Sequence, residues 1–301
     1  MASRPSPSKT RYGRRISVVV ISRNEGVQLR RTVENLEDTL PGDAGIVVVD
    51  DGSTDRSADF LTKRAGRVAL FRAKNLGVAR ARNLGARRAR GDIIVFADAH
   101  IATPPRWWKP LCELLEDPAT GAAAPAITNL PANGRIGYGL VFKGPDLDVQ
   151  WLRDRPAGPC AAPILPGCCT AMRRDVFIAT GGWDEAMLQR GNVDNEGCVR
   201  LWMLGYELML APDVLVEHLF RRRSPYPVGW PQYLHNHLRL AFLHLSSARL
   251  ERVVAALRRH QEYGEAVALL AGGDIAVRRR QLSLTRTRND DCYFDRFALQ
   301  W

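Results

Sequence analysis

The chain has 301 residues, 46% hydrophobic and 25% charged, with a formal net charge of +11. That balance is ordinary for a soluble globular protein and suits one large domain, or one domain with a helical annex; nothing suggests a secreted disulfide scaffold, and no run of about 18 apolar residues offers a membrane span. Six cysteines without paired metal-ligand spacing argue for a reducing compartment, and the basic excess leaves an anionic membrane surface or phosphate-bearing substrates as partners, no nucleic acid being expected without a zinc-finger or RNA-recognition signature.

Residues 1–15 are basic and rich in Ser and Pro, and read as a disordered arm rather than a signal peptide. Residues 16–22 form an apolar Val/Ile run of the kind a parallel sheet buries on both faces. Leu29, Val33, Leu36 and Leu40 then recur at helical spacing. A second buried strand is expected over 46–49, and a helix over 56–65 with Ser53 or Thr54 as its cap. A third strand (68–71), an Ala-rich helix (78–90) and a fourth strand (93–97) complete a βαβαβαβ order. That order predicts an α/β fold, a mostly parallel Rossmann-like sheet flanked by helices. Residues 122–165 are Pro- and Gly-rich and are expected to form loops and a short strand pair. Further on, a strand (169–172), a helical turn (175–180), a helix (196–204) closed by Gly205, and short strands (208–211, 214–217) are expected. From Trp230 to about residue 270 the pattern is helical, and the last 25 residues are arginine-rich and poorly patterned.

Ligands of such sheets sit beyond the carboxyl ends of the strands, where the polar groups cluster. Asp98 and His100 leave the fourth strand one residue apart, a pair suited to a divalent metal carrying a diphosphate. The plain alternative is a turn cap and a surface imidazole. His218, after an apolar run, is a candidate third ligand, although a lone histidine there is more often structural. Asp50 and Asp51, in the run Asp-Asp-Gly-Ser-Thr-Asp, could accept hydrogen bonds from a base and a ribose, or simply make a turn. Arg23-Asn24-Glu25 stands at the exit of the first strand. Asp194-Asn195-Glu196 offers a general base at a helix start, or carboxylates that merely suit the helix dipole. Trp107-Trp108 is expected to pack on the sheet, and His235, His237 and His244 to pack or lie at the surface.

With those motifs in order, the chain resembles glycosyltransferases of the GT-A fold. Residues 16–226 are similar to family-2 enzymes through VVVDDGSTD and NLGVARARNLGARRARGDIIVFADAH, and within that superfamily to the polypeptide N-acetylgalactosaminyltransferases, which carry Asp-x-His. The resemblance implies a GT-A domain over 16–226 with a helical extension over 227–301. It implies manganese, or another divalent metal, on Asp98, His100 and His218. Ile21, Arg23, Glu25, Asp50 and Asp51 fall where the family meets the nucleotide sugar, as do Asp98 and Ala99; Asn75 stands where the mucin-type enzymes have Arg.

The chain departs from that pattern at Arg190-Gly191-Asn192-Val193-Asp194, where the mucin-type enzymes have Trp-Gly-Gly-Glu-Asn. Asp194 coincides with the base of inverting family-2 enzymes, and Glu196 with an acidic position of both groups, so the reading leans towards inversion with Asp194 and Glu196 as catalytic residues. The implied function is metal-dependent transfer of an N-acetylhexosamine or hexose from a UDP-sugar to a peptide, saccharide or lipid-linked acceptor. A cytoplasmic, bacterial-type enzyme with peripheral membrane contact is expected. The competing readings are a non-catalytic GT-A module and, ranked lower, a nucleotidyltransferase, whose Gly-rich loop is replaced here by Arg23-Asn24-Glu25.

Overall fold

The computed structural model describes residues 14–64, 66–132, 134–221 and 224–301. Most of the expected basic arm, and Arg222 and Arg223, lie outside the described residues. Arg15, assigned to that arm, is instead anchored: its N–H donates to Asp92 and its carbonyl accepts from the Ile93 N–H at 3.1 Å.

The four Val/Ile-rich runs become the strands β1 (Ile16–Ser22), β2 (Gly45–Asp51), β3 (Val68–Ala73) and β4 (Ile93–Asp98). They lie side by side, all parallel, in the order β4-β1-β2-β3. Val18, Val19 and Val20 are fully buried because helices cover both faces. Helix α1 (Val27–Thr39) turns Leu29, Val33 and Leu36 inward at the expected spacing. Helix α2 (Val78–Arg88) packs on β1 and β2, and Gly85 lets it come close, since a methyl there would overlap Val19. The short β5 (Ile101–Ala102) follows β4, and α3 (Trp108–Leu114) starts beside Trp107, which is buried in the apolar cluster beneath the sheet as expected.

Three expectations are corrected in this half of the chain and the next. The helix over 56–65 reduces to one turn at Asp59–Leu61. Its candidate caps are spent elsewhere: the Ser53 hydroxyl accepts from the Asn24 N–H, and the Thr54 N–H donates to the Asn24 side chain. Residues expected to be loop form β6 (Thr120–Asn129), buried in the centre of the ten-stranded sheet. Its Ala122, Ala123, Ala124 and Ala126 have low strand propensity, but small side chains fit between crowded neighbours, so packing overrides propensity. The two short strands expected after Gly205 are one continuous strand, Glu207–His218, with an irregularity between Ala211 and Leu215; Pro125 of β6, which has no N–H to give, pairs at its start.

After β6 come β7 (Ile136–Gly137) and the short antiparallel pair β8 (Leu140–Phe142) and β9 (Val149–Trp151), which is the expected pair. Strand β10 (Cys160–Ala161), β11 (Cys169–Arg173), helix α4 (Arg174–Ala179), helix α5 (Val193–Met203) and β12 (Glu207–His218) complete the order β10-β12-β6-β11-β4-β1-β2-β3. β12 runs parallel to β6, whereas β11 is antiparallel to both of its neighbours.

Five helices follow: α6 (Trp230–His244), α7 (Ser247–Leu257), α8 (Tyr263–Ala271), α9 (Ile275–Thr285) and α10 (Asp290–Arg296). The last two correct the reading of the C-terminal segment as unpatterned. Arg279 and Arg286 of that segment donate to the carbonyls of Phe242 and Leu243 at the end of α6, where cations suit the helix dipole. Among the described residues no helix is long and apolar enough to cross a membrane.

His235, His237 and His244 are buried in α6 and, as expected, serve packing. Burial pulls each below the ordinary histidine value of 6.5. The unfolded chain takes up protons near that value while the folded chain does not, so stability rises with pH up to about 6.5 and is lost as pH falls through that window. The carboxylates held below their ordinary range lose their share only at more acidic pH. The melting temperature is expected to fall between about pH 7.5 and 5.5. An unchanged value across that range would mean that these histidines protonate within the native structure.

Candidate active site

The turn from β4 into β5 sets Asp98 and His100 at the carboxyl edge of the sheet, and β5 pairs with the end of β12 in the register His218 to Ile101. Neighbouring strands thus bring together three residues far apart in sequence. One ligand atom from each of Asp98, His100 and His218 lies within 4.8 Å of the others. His218 Nε2 is 3.2 Å from Asp98 Oδ2, and His100 Nε2 is 4.0 Å from the same oxygen.

A further layer orients His100. Its Nδ1 lies 3.0 Å from Glu25 Oε2, an arrangement in which Nδ1–H donates and the Nε2 lone pair faces Asp98. Arg221 donates to the same Glu25 oxygen at 2.6 Å. Burial would raise the Glu25 carboxyl, but the hydrogen bonds of His100 and Arg221, with the Arg221 charge, hold it below the ordinary range. Asp98 is balanced the same way: burial would raise it, and the His218 hydrogen bond and the Arg82 charge hold it well below. Two imidazole nitrogens and one ionised carboxylate fit manganese or a similar borderline divalent ion.

A cavity of about 790 Å³ opens in front of this cluster. Of the residues expected to meet a nucleotide sugar, Ile21, Arg23, Glu25, Asp51, Asn75, Asp98 and Ala99 line it. Both Asp51 oxygens also accept backbone N–H groups, from Leu76 at 2.6 Å and Gly77 at 2.9 Å, so Asp51 fixes the loop that starts α2. Asn75 in that loop is in the left-handed region, φ 54°, which asparagine tolerates. Asp50 is not at the cavity: it is buried, ion-paired with Arg72 at 2.9 Å and bonded to the Ser53 N–H.

Asp194 lies in the first turn of α5, where this cavity meets a second one of about 290 Å³, and it lines both. Glu196 does not join it. Positions two apart on a helix face different ways. Glu196 is fully buried, paired with Arg200 at 2.8 Å and accepting from His244 at 3.0 Å. The expectation of a catalytic Glu196 is therefore corrected: it ties α5 to α6. Burial would raise its carboxyl, but Arg200 and His244 hold it well below the ordinary range.

Three site-building residues escaped the sequence reading. Arg82 is 2% exposed; it donates to Asp194 and to the Gly167 carbonyl, and its guanidinium lies 3.8 Å from Asp98 and over the Trp183 ring. Its position three residues after Ala79 and four before Ala86, on the buried stripe of α2, was the available signal. Gly167 is needed where it stands, because a methyl there would overlap the Asp194 carboxylate. Asn236 of α6 accepts from the Leu188 N–H and donates to the Leu188 and Gly191 carbonyls, each at 2.8 Å, holding the loop that leads to Asp194.

Comparison with known proteins agrees with this architecture. Residues 17–181 match the model of Glycosyl transferase family 2. Polypeptide N-acetylgalactosaminyltransferase 11 of Xenopus tropicalis is 31% identical over 251 residues, which cover 75% of this chain and 42% of the relative. Human polypeptide N-acetylgalactosaminyltransferase 15 is 30% identical over 73% of this chain and 38% of its own length. The chain spans about two fifths of the length of the curated relatives it matches. Among solved structures, GalNAc-T7 with UDP, GalNAc and Mn2+ superposes with a TM-score of 0.76 at 21% identity, over 95% of this chain and 56% of that one. The mannosyltransferase PcManGT from Pyrobaculum calidifontis, with GDP-Man and Mn2+, gives 0.55 at 21% identity over 96% of this chain and 76% of its own. The shared fold is GT-A.

Proposed function

The chain belongs to glycosyl transferase family 2, and from that premise we propose that it transfers a hexose or N-acetylhexosamine from a UDP-sugar to an acceptor nucleophile with the help of a divalent metal. The observation that carries the reading is the convergence of Asp98, His100 and His218 at the mouth of a cavity that Asp194 also lines. The relatives act as a guide to the donor: GalNAc-T7 was solved with UDP and GalNAc. Peptide, saccharide and lipid-linked acceptors are all compatible with the family. A cytoplasmic setting, with the arginine-bearing helices open to an anionic membrane surface, belongs to the same proposal.

Asp98, His100 and His218 would hold the cation, manganese being the best fit to the donor set, and its charge would offset the negative charge that builds on the departing diphosphate. Glu25 keeps the His100 ring turned towards that site, and the basic side chains of Arg23 and Arg190 line the same cavity. Arg82 holds Asp194 Oδ1, which leaves Oδ2 to accept the proton of an acceptor hydroxyl. Were Asp194 to act as base on the face opposite the leaving group, transfer would invert the anomeric carbon. The pairing of Asp194 with Arg82 also favours a second reading, a non-catalytic module in which that carboxylate is structural.

Calorimetry of UDP binding, with manganese and then with EDTA, tests the proposal. Binding that needs manganese is expected, followed by UDP release in a screen of UDP-sugars. Absence of UDP binding under both conditions would overturn it, and tight binding with no turnover of any donor would favour the non-catalytic module.

A further inference from the structure

The second cavity, which meets the first at Asp194, differs in chemistry from the molecule around it. In a chain of net charge +11, none of the described residues that line it is Lys or Arg, and it also reaches Asp98 and His218 of the metal cluster. The rings of Trp151, Phe220 and Tyr233 are set against the polar side chains of Asp148, Asn192 and Asp194. Trp151 is held rigidly: the Phe220 ring meets it edge-on with centroids 5.9 Å apart, and its other side lies so close to Gly137 that a methyl there would overlap the indole.

Asn192 supplies the observation that points to a ligand. It is 9% exposed, its amide oxygen is taken by the Asn195 side chain, and its Nδ2 is buried with no hydrogen-bond partner. A buried amide donor without a partner costs about 1–3 kcal/mol, so a group that accepts from it binds with advantage. Asp148, half-exposed and 3.6 Å from Lys143, and the free oxygen of Asp194 are acceptors only. The site therefore asks for a ligand with several hydroxyls, each able to donate and accept, and with an apolar face to lie on an aromatic ring.

Resting on the transferase reading above, we infer that this cavity receives the acceptor, and that the acceptor is an uncharged saccharide unit with no phosphate close to the hydroxyl that reacts. At about 290 Å³ the cavity stands at the small end of ligand pockets, room for one ring. A peptide would need a groove several residues long, at about 3.3 Å per residue. A phosphate would meet Asp148 and Asp194 with no Lys or Arg among the described lining residues to offset it, and a cation held by Asp98 and His218, which also line the cavity, would already carry the UDP diphosphate.

Saturation-transfer NMR on the full chain with UDP and manganese provides the test. The probes are the methyl glycosides of glucose, galactose, mannose and N-acetylglucosamine, the 6-phosphates of glucose, mannose and N-acetylglucosamine, and a Ser/Thr-rich peptide. At least one methyl glycoside is expected to bind, and its phosphate to bind at least tenfold more weakly. Trp151→Ala and Asn192→Asp are each expected to weaken it at least tenfold; the second keeps the side-chain shape and a residue that tolerates φ 54° but replaces the donor with an acceptor. UDP affinity of the wild-type chain, measured in the same samples, tests the transferase reading separately. If UDP binds while no glycoside does, or only the peptide does, or the phosphates bind as well as the glycosides, the saccharide assignment is wrong. Glycoside binding that neither variant weakens would place the acceptor elsewhere.

Discussion

Asp194→Asn is expected to lower the turnover number by about 10²–10⁴, the range that a general base contributes, while UDP affinity in manganese stays near that of the wild type. The substitution isolates the proton-accepting role because asparagine keeps an oxygen for Arg82. Truncation to alanine would do something else: it would leave a guanidinium that is 2% exposed without its closest partner. Breaking a buried ion pair from one side costs about 3–5 kcal/mol, enough to confuse a catalytic defect with a folding defect. Melting temperature, UDP titration and UDP-sugar turnover should therefore be measured on the same preparation. A variant that turns over at the wild-type rate would remove Asp194 from the chemistry. A variant that melts early and loses UDP binding would make Asp194 a structural partner of Arg82 and nothing more.

The second large effect is expected at the metal site, in two grades. Asp98→Asn removes the one anionic donor among the three candidate ligands and should abolish manganese-dependent UDP binding. Glu25→Gln leaves all three ligands in place but weakens the hydrogen bond, 3.0 Å from Glu25 Oε2 to His100 Nδ1, that turns His100 towards Asp98. Changes of such orienting groups usually cost about 10–100-fold in metal affinity. The expected order in manganese titrations is thus wild type, then Glu25→Gln, then Asp98→Asn. If Glu25→Gln binds metal as tightly as the wild type but loses UDP, Glu25 contacts the nucleotide directly, as the family resemblance implied, and its bond to His100 is incidental.

The contrast between Glu25 and Asp50 shows what a motif can and cannot tell. Both stand at strand exits and both were expected at the nucleotide. Glu25 lines the cavity and supports His100. Asp50, whose neighbour Asp51 does line the cavity, turns to Arg72 instead. Successive residues of a strand point to opposite faces, so an acidic pair at a strand end can offer only one member to a given crevice. The same geometry on a helix separates Asp194 from Glu196.

The alternation of Val/Ile runs with helical spacing in residues 16–98 determined the parallel half of the sheet, because buried parallel strands and amphipathic helices leave local signatures. The Asp98-x-His100 pair was legible for the same reason: its two members are neighbours in the chain. His218 and Asp194 came from the order of motifs, which local spacing does not supply. Tertiary structure alone decided the rest. Ala-rich β6 is a strand because it lies between β11 and β12, a pairing that no local pattern announces. Arg82 reaches Asp194 across 112 residues of sequence, and Glu196 meets His244 across 48. Such pairings depend on which helix faces pack together, and a buried charge is stable only with the partner that packing brings to it.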